Sequence, residues 1–144
     1  MSFHEIEPQD FNPKFEIVSC FCEYDGTFLL LLRQDWKPQG NTWGAPAGKK
    51  EPNESIEDAI RRELEEETGI VLGEQVLHYF GKVYARYDDY DFTYHIFQTA
   101  FSQMPNVTIQ TEAHKESRWV KPEDALTLNL IQDMDSVIKF SYKI

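Results

Sequence analysis

Basic residues are scarce in this chain. Its 144 residues hold 14 Lys and Arg against 25 Asp and Glu, a formal net charge of −11. Affinity for a nucleic-acid backbone comes from clustered Lys and Arg, so a protein built mainly to hold that backbone is excluded. Long apolar runs are missing as well. The longest, Phe28 to Leu32, has five residues, against ~20 for a membrane span, so no membrane partner is expected. Met1-Ser2-Phe3-His4-Glu5-Ile6-Glu7 offers neither the basic stretch nor the apolar stretch of a secretory signal. Cysteine is limited to Cys20 and Cys22. One residue apart, they rarely close a disulfide, and a structural zinc site wants four ligands. They read as buried thiols in a reducing, cytoplasmic compartment. Internal repeats, low-complexity segments and linkers are absent. One domain over residues 1–144 is therefore expected, with residues 1–14 as an N-terminal arm.

What is present is apolar enough to fold: 41% hydrophobic and 14% aromatic residues exceed what a disordered chain carries. Two β-rich runs, about 15–23 and 28–33, flank Asp25-Gly26, a hairpin signal. A helix is expected from about Ser55 to Thr68, started by cap candidates in Asn53-Glu54-Ser55 and ended by Gly69. Strands follow at about 76–87 and 92–101, then short ones near 107–110 and 118–120. Pro122 opens a helical turn, and Leu130, Ile131, Met134, Val137 and Ile138 have the spacing of a last helix over about 130–140. Strands mixed with two or three helices imply a layered α/β or α+β domain.

The segment 51–67 carries eight acidic residues and two basic ones. On a helical wheel at about 100° per residue, Glu63, Glu66 and Glu67 fall within roughly 60° of the Ile56, Ala59 and Ile60 face. Three carboxylates turned toward the domain repel one another and lose hydration, so they need a compensating cation. Hard oxygen ligands suit Mg²⁺ or Mn²⁺. A protonated or Arg-neutralised cluster is the alternative.

From Gly48 to Ile70 the chain reads GKKEPNESIEDAIRRELEEETGI. This resembles the Nudix box, G-x5-E-x7-R-E-U-x-E-E-x-G-U with U a bulky apolar residue. It matches at Gly48, Glu54, Arg62, Glu63, Leu64, Glu66, Glu67, Gly69 and Ile70. The resemblance implies a Nudix fold, an α/β/α sandwich with a mixed central sheet. It also implies metal-dependent hydrolysis of a pyrophosphate linkage in a nucleoside diphosphate derivative. In that reading Gly48 turns the backbone and offers its carbonyl to the metal, and Glu63, Glu66 and Glu67 are ligands. Arg62 orients a neighbouring carboxylate, Glu54 partners Arg62 or assists the metal, and Glu63 is the favoured base. Family members place a further acid in a later loop, which makes Glu112 a candidate ligand and Glu116 a candidate catalytic residue. His114, between them, reads as a hydrogen-bonded surface histidine. Ala47-Gly48 replaces the frequent Gly-Gly. The proline that often follows the box in the ADP-ribose group is absent, with Tyr84-Ala85-Arg86 in its place.

Arg33 and Lys49 are candidates to reach phosphate. Nine aromatics lie between Tyr79 and Phe101, mostly core, with Tyr87 or Tyr90 able to stack on a base. Tyr87 also has a spacing similar to the tyrosine of diadenosine polyphosphate hydrolases. The expected substrate is a nucleoside triphosphate or related small nucleotide, handled by a monomer or homodimer. The alternatives are a dinucleoside polyphosphate or nucleotide-sugar hydrolase, and a nucleotide-sensing module that does not cleave.

Overall fold

The computed structural model describes residues 2–73 and 75–144. Two strands, β2 (Pro13–Tyr24) and β3 (Thr27–Arg33), meet at Asp25-Gly26. Both turn residues have positive φ, 50° and 77°, the geometry of the tight turn that matches strand twist. Beyond the turn the two strands part. Only Glu23–Phe28 and Tyr24–Thr27 are paired. From there β2 pairs with β5 (Ala47–Lys49), while β3 pairs with β4 (Trp43–Gly44) and β8 (His114–Val120). The opening between these two halves later becomes the site.

On its other side β2 runs parallel to β7 (Asp91–Ala100), which pairs antiparallel with β6 (His78–Arg86). An edge strand, β1 (Ser2–His4), pairs with β6. The order β1-β6-β7-β2-β3-β4, with β5 on β2 and β8 on β3, makes a mixed eight-stranded sheet.

Alternation along β2 sends Val18, Cys20 and Cys22 to one face and Ser19 and Phe21 to the other. The first face packs on α1 (Ile56–Thr68) through Ala59, Ile60 and Leu64. The second packs on α3 (Met134–Tyr142) through Met134, Val137 and Ile138. Helices on both faces of a mixed sheet are the expected sandwich. A short α2 (Pro122–Ala125) starts at the proline. Cys20 and Cys22 are both buried and free, as the sequence implied.

Four expectations change. The segment 107–110 forms no strand; Thr108 and Gln110 donate their N–H groups to the carbonyls of Thr68 and Glu67 at 2.8 and 3.3 Å. It therefore satisfies the open end of α1, whose last carbonyls have no partner within the helix. The last helix starts at Met134, not near 130. Leu130 and Ile131 instead run beside Trp43, whose carbonyl accepts from the Ile131 N–H at 2.8 Å. The left-handed Asp133 (φ 66°) separates that stretch from α3. The last strand begins at His114 because its whole length pairs with β3. The arm of residues 1–14 is not merely draped: residues 2–4 join the sheet, and Met1 lies outside the described residues.

Candidate active site

The helix that carries the acidic segment is built by local signals. Ser55 is extended and its Oγ accepts from the Asp58 N–H at 3.0 Å, a normal N-cap. Glu57 and Asp58 sit where the dipole is positive. Gly69 adopts φ 73° and its N–H returns to the Glu65 carbonyl.

Arg62 is the hub of the charged groups. Its Nε and Nη2 donate to the two carboxylate oxygens of Glu54 at 2.8 and 3.0 Å. Nη2 also donates to the Lys49 carbonyl at 3.0 Å. Nη1 donates to Glu63 Oε1 at 2.8 Å and Glu66 Oε2 at 3.2 Å. These contacts pull the Glu54 carboxyl down to about 2 and push the Arg62 guanidinium upward. The fork also joins the loop before the helix to the helix itself.

Gly48 does not make the expected turn. It lies in extended β5, opposite Val18, not in a turn. A Cβ there would sit 2.1 Å from Glu63 Cδ. Only a residue without a side chain leaves room for the Glu63 carboxylate against the strand. Burial raises the Glu63 carboxyl despite Arg62. Glu67 lies deeper: its Oε1 accepts from the Ala47 N–H at 2.9 Å, and burial pushes its carboxyl up to about 8.

The wheel overstated the inward turn of one glutamate. Glu66, on the flank away from Leu64, is exposed, with Arg62 as its partner. Among the described residues, no three His, Cys, Asp or Glu side chains stand close enough to cage an ion. Arg62 and the Ala47 N–H hold the three glutamates in this structure.

Glu67 reaches through the opening between β5 and β4 into a cleft of about 300 Å³ on the α3 side of the sheet. Arg33, Gly48, Lys49 and Tyr87 line the same cleft. Arg33 Nε donates to the Pro38 carbonyl at 2.9 Å, and Arg33 partly offsets the rise at Glu67. Lys49 Nζ lies 4.3 Å above the Phe15 ring. Glu112 is on an exposed turn, and Glu116 is exposed and paired with Arg118 at 3.2 Å. Neither lines the cleft.

Other lining residues were not singled out from sequence. Phe92 and Tyr94 share a face of β7 with Ile96, a parity legible once the strand is known. His114 was taken for a surface residue. It is buried, its Nδ1 has no hydrogen-bond partner, and burial with Arg33 and Lys37 nearby holds the ring down at about 4. No local signal marks it, because its burial follows from β8 pairing with Arg33.

The sequence profile of the NUDIX domain matches residues 13–140. The chain belongs to the NUDIX family. It is 34% identical over 115 residues to the CTP pyrophosphohydrolase of Escherichia coli (strain K12), covering 77% of this chain and 78% of that one. It is also 34% identical over 124 residues to the nucleoside triphosphatase NudI of Escherichia coli O81 (strain ED1a), covering 79% and 86%. The crystal structure of the MutT protein from Methanosarcina mazei Go1 superposes with a TM-score of 0.78 at 24% identity, over 92% of this chain and 95% of that one. This NUDIX protein is therefore a hydrolase of pyrophosphate bonds. The fork of Arg62 and the Gly48–Glu63 contact give physical content to its box. No helix among the described residues is long and apolar enough to cross a membrane.

Proposed function

We propose that this chain, acting as one domain over residues 1–144, hydrolyses a pyrophosphate linkage in a nucleoside triphosphate or related nucleotide. Mg²⁺ is the proposed cofactor, with Mn²⁺ as a substitute, and the cytoplasm the proposed compartment. The observation that carries the reading is the lining of the cleft, which combines charged Glu67, Arg33 and Lys49 with aromatic Tyr87, Phe92 and Tyr94.

The donor set fits a hard divalent cation. Glu63, Glu66, Glu67 and the Gly48 carbonyl are all oxygen donors, and Gly48 leaves the Glu63 carboxylate pressed against the strand. A divalent ion bound there would neutralise phosphate charge and acidify a water. Glu63 takes the proton from the attacking water. Arg62 orients Glu63 through Nη1, and Glu54 holds Arg62 in place with two hydrogen bonds. Arg33 and Lys49 meet the phosphates, and Tyr87 borders the base. Glu112 and Glu116, candidates from sequence, have no assigned step, since neither lines the cleft.

One observation favours a second reading as a dinucleoside polyphosphate hydrolase: Tyr87 does line the cleft, its ring 5.0 Å from Phe92. A panel of nucleoside triphosphates, dinucleoside polyphosphates and nucleotide sugars, followed by phosphate and pyrophosphate release, separates the two. Glu67→Gln is expected to abolish turnover on the best substrate while leaving the circular dichroism unchanged. Turnover near the wild-type rate would sink the metal assignment, and binding without cleavage across the whole panel would favour a sensor.

A further inference from the structure

The family profile begins at residue 13, yet a wall of the cleft comes from upstream of it. In β1, Phe3 pairs with Ala85 of β6, and Ala85 pairs in turn with Phe92 of β7. The Phe3 ring stands edge-on to Phe92 with centroids 6.2 Å apart, and 5.4 Å from Tyr94. It is half-buried, and it lines the cleft together with Tyr87 and with Val137 of α3. A core phenylalanine with neighbours on every side would be closed; this one keeps an open surface inside a cavity.

The cleft lining is of two kinds: Glu67, Arg33 and Lys49 are charged, and Phe3, Tyr87, Phe92 and Tyr94 are aromatic. A ligand that suits both carries a polyphosphate and a flat, weakly polar ring. Aromatic side chains stack on any base because every base presents a π face.

We propose that Phe3 is a specificity-determining residue that covers one face of the substrate's nucleobase. The base then lies against an edge strand that precedes the residues matched by the family profile. This rests on the nucleotide reading above and deepens it by assigning the base-facing wall.

Titration calorimetry on the full chain with Mg²⁺ tests it. The probes are α,β-methylene analogues of the nucleoside triphosphates and, as a base-free control, inorganic tripolyphosphate. Phe3→Ala removes the ring, Phe3→Leu keeps apolar volume without a π face, and Phe3→Trp keeps a larger one. Phe3→Ala and Phe3→Leu are expected to weaken the tightest nucleotide analogue about tenfold, and Phe3→Trp to retain it. Tripolyphosphate affinity is expected to stay constant in all three. Unchanged nucleotide affinity in Phe3→Ala, or wild-type affinity in Phe3→Leu, would overturn the proposal. So would a parallel loss of tripolyphosphate binding, which marks a structural role. If the wild-type chain binds tripolyphosphate but no nucleotide, the nucleotide reading fails and this inference fails with it.

Discussion

At the residue scale the box is a set of steric and electrostatic demands. Gly48 is required because the Glu63 carboxyl occupies the space a Cβ would take. Gly48→Ala is expected to displace that carboxylate and lower kcat roughly a hundredfold, with little change in the denaturation midpoint. A wild-type kcat would show that Glu63 needs no such fit. His114 makes a separate prediction. Its folded pKa, about 4, lies below the ordinary 6.5, so the fold favours the neutral ring. The stabilisation is complete above pH 6.5 and is lost as pH falls through 4, because the unfolded chain binds the proton first. In His114→Gln, urea midpoints between pH 6.5 and 4 should decline less steeply than in wild type. The contacts of Arg62 with Glu54 and Glu63 were legible, because their spacing is local. His114 was not, because pairing between distant segments buries it.

At the element scale, α1 positions the chemistry and its ends are well specified. Ser55, Glu57, Asp58 and Gly69 are helix signals in the sequence, and the structure uses each of them. Gly69 has ordinary contact distances to Thr108, 3.6 Å from a notional Cβ, so the cost of Gly69→Ala lies in the left-handed backbone. That cost is about 1 kcal/mol, measurable as a lower urea midpoint with the slope unchanged. The segment 107–110 looked like a strand because its apolar residues alternate. It became a cap because α1 leaves carbonyls open beside it. The last helix began late for a related reason: Leu130 and Ile131 suit a helix face, but the edge at Trp43 recruits them first.

At the scale of the whole molecule, an ion pair between Arg86 and Asp91 joins β6, β7 and the arm. Asp91 accepts from Arg86 Nε and Nη2 at 3.0 Å each and from the Asn12 N–H at 2.9 Å. Arg86 Nη1 also donates to the Gln9 carbonyl at 3.1 Å, so β6, β7 and the arm share the contact. Arg86 holds the Asp91 carboxyl below its ordinary value. The pair's contribution is present above the unfolded pKa near 4 and vanishes as pH falls through the lowered folded value. Asp91→Asn should be less stable than wild type at pH 7 and indistinguishable from it in strong acid, as read from thermal midpoints across pH. The sequence by itself determined the hairpin, α1 and the ring of charges around Arg62, because turn chemistry, capping and helical spacing act within a few residues. Only the tertiary structure decided that β2 and β3 part to admit Glu67 to a cleft, that Glu66 stays outside, and that Phe3 lines that cleft beside Phe92 and Tyr94. Those outcomes depend on which distant strands pair, and strand pairing is set by faces that must be buried together, which no local window contains.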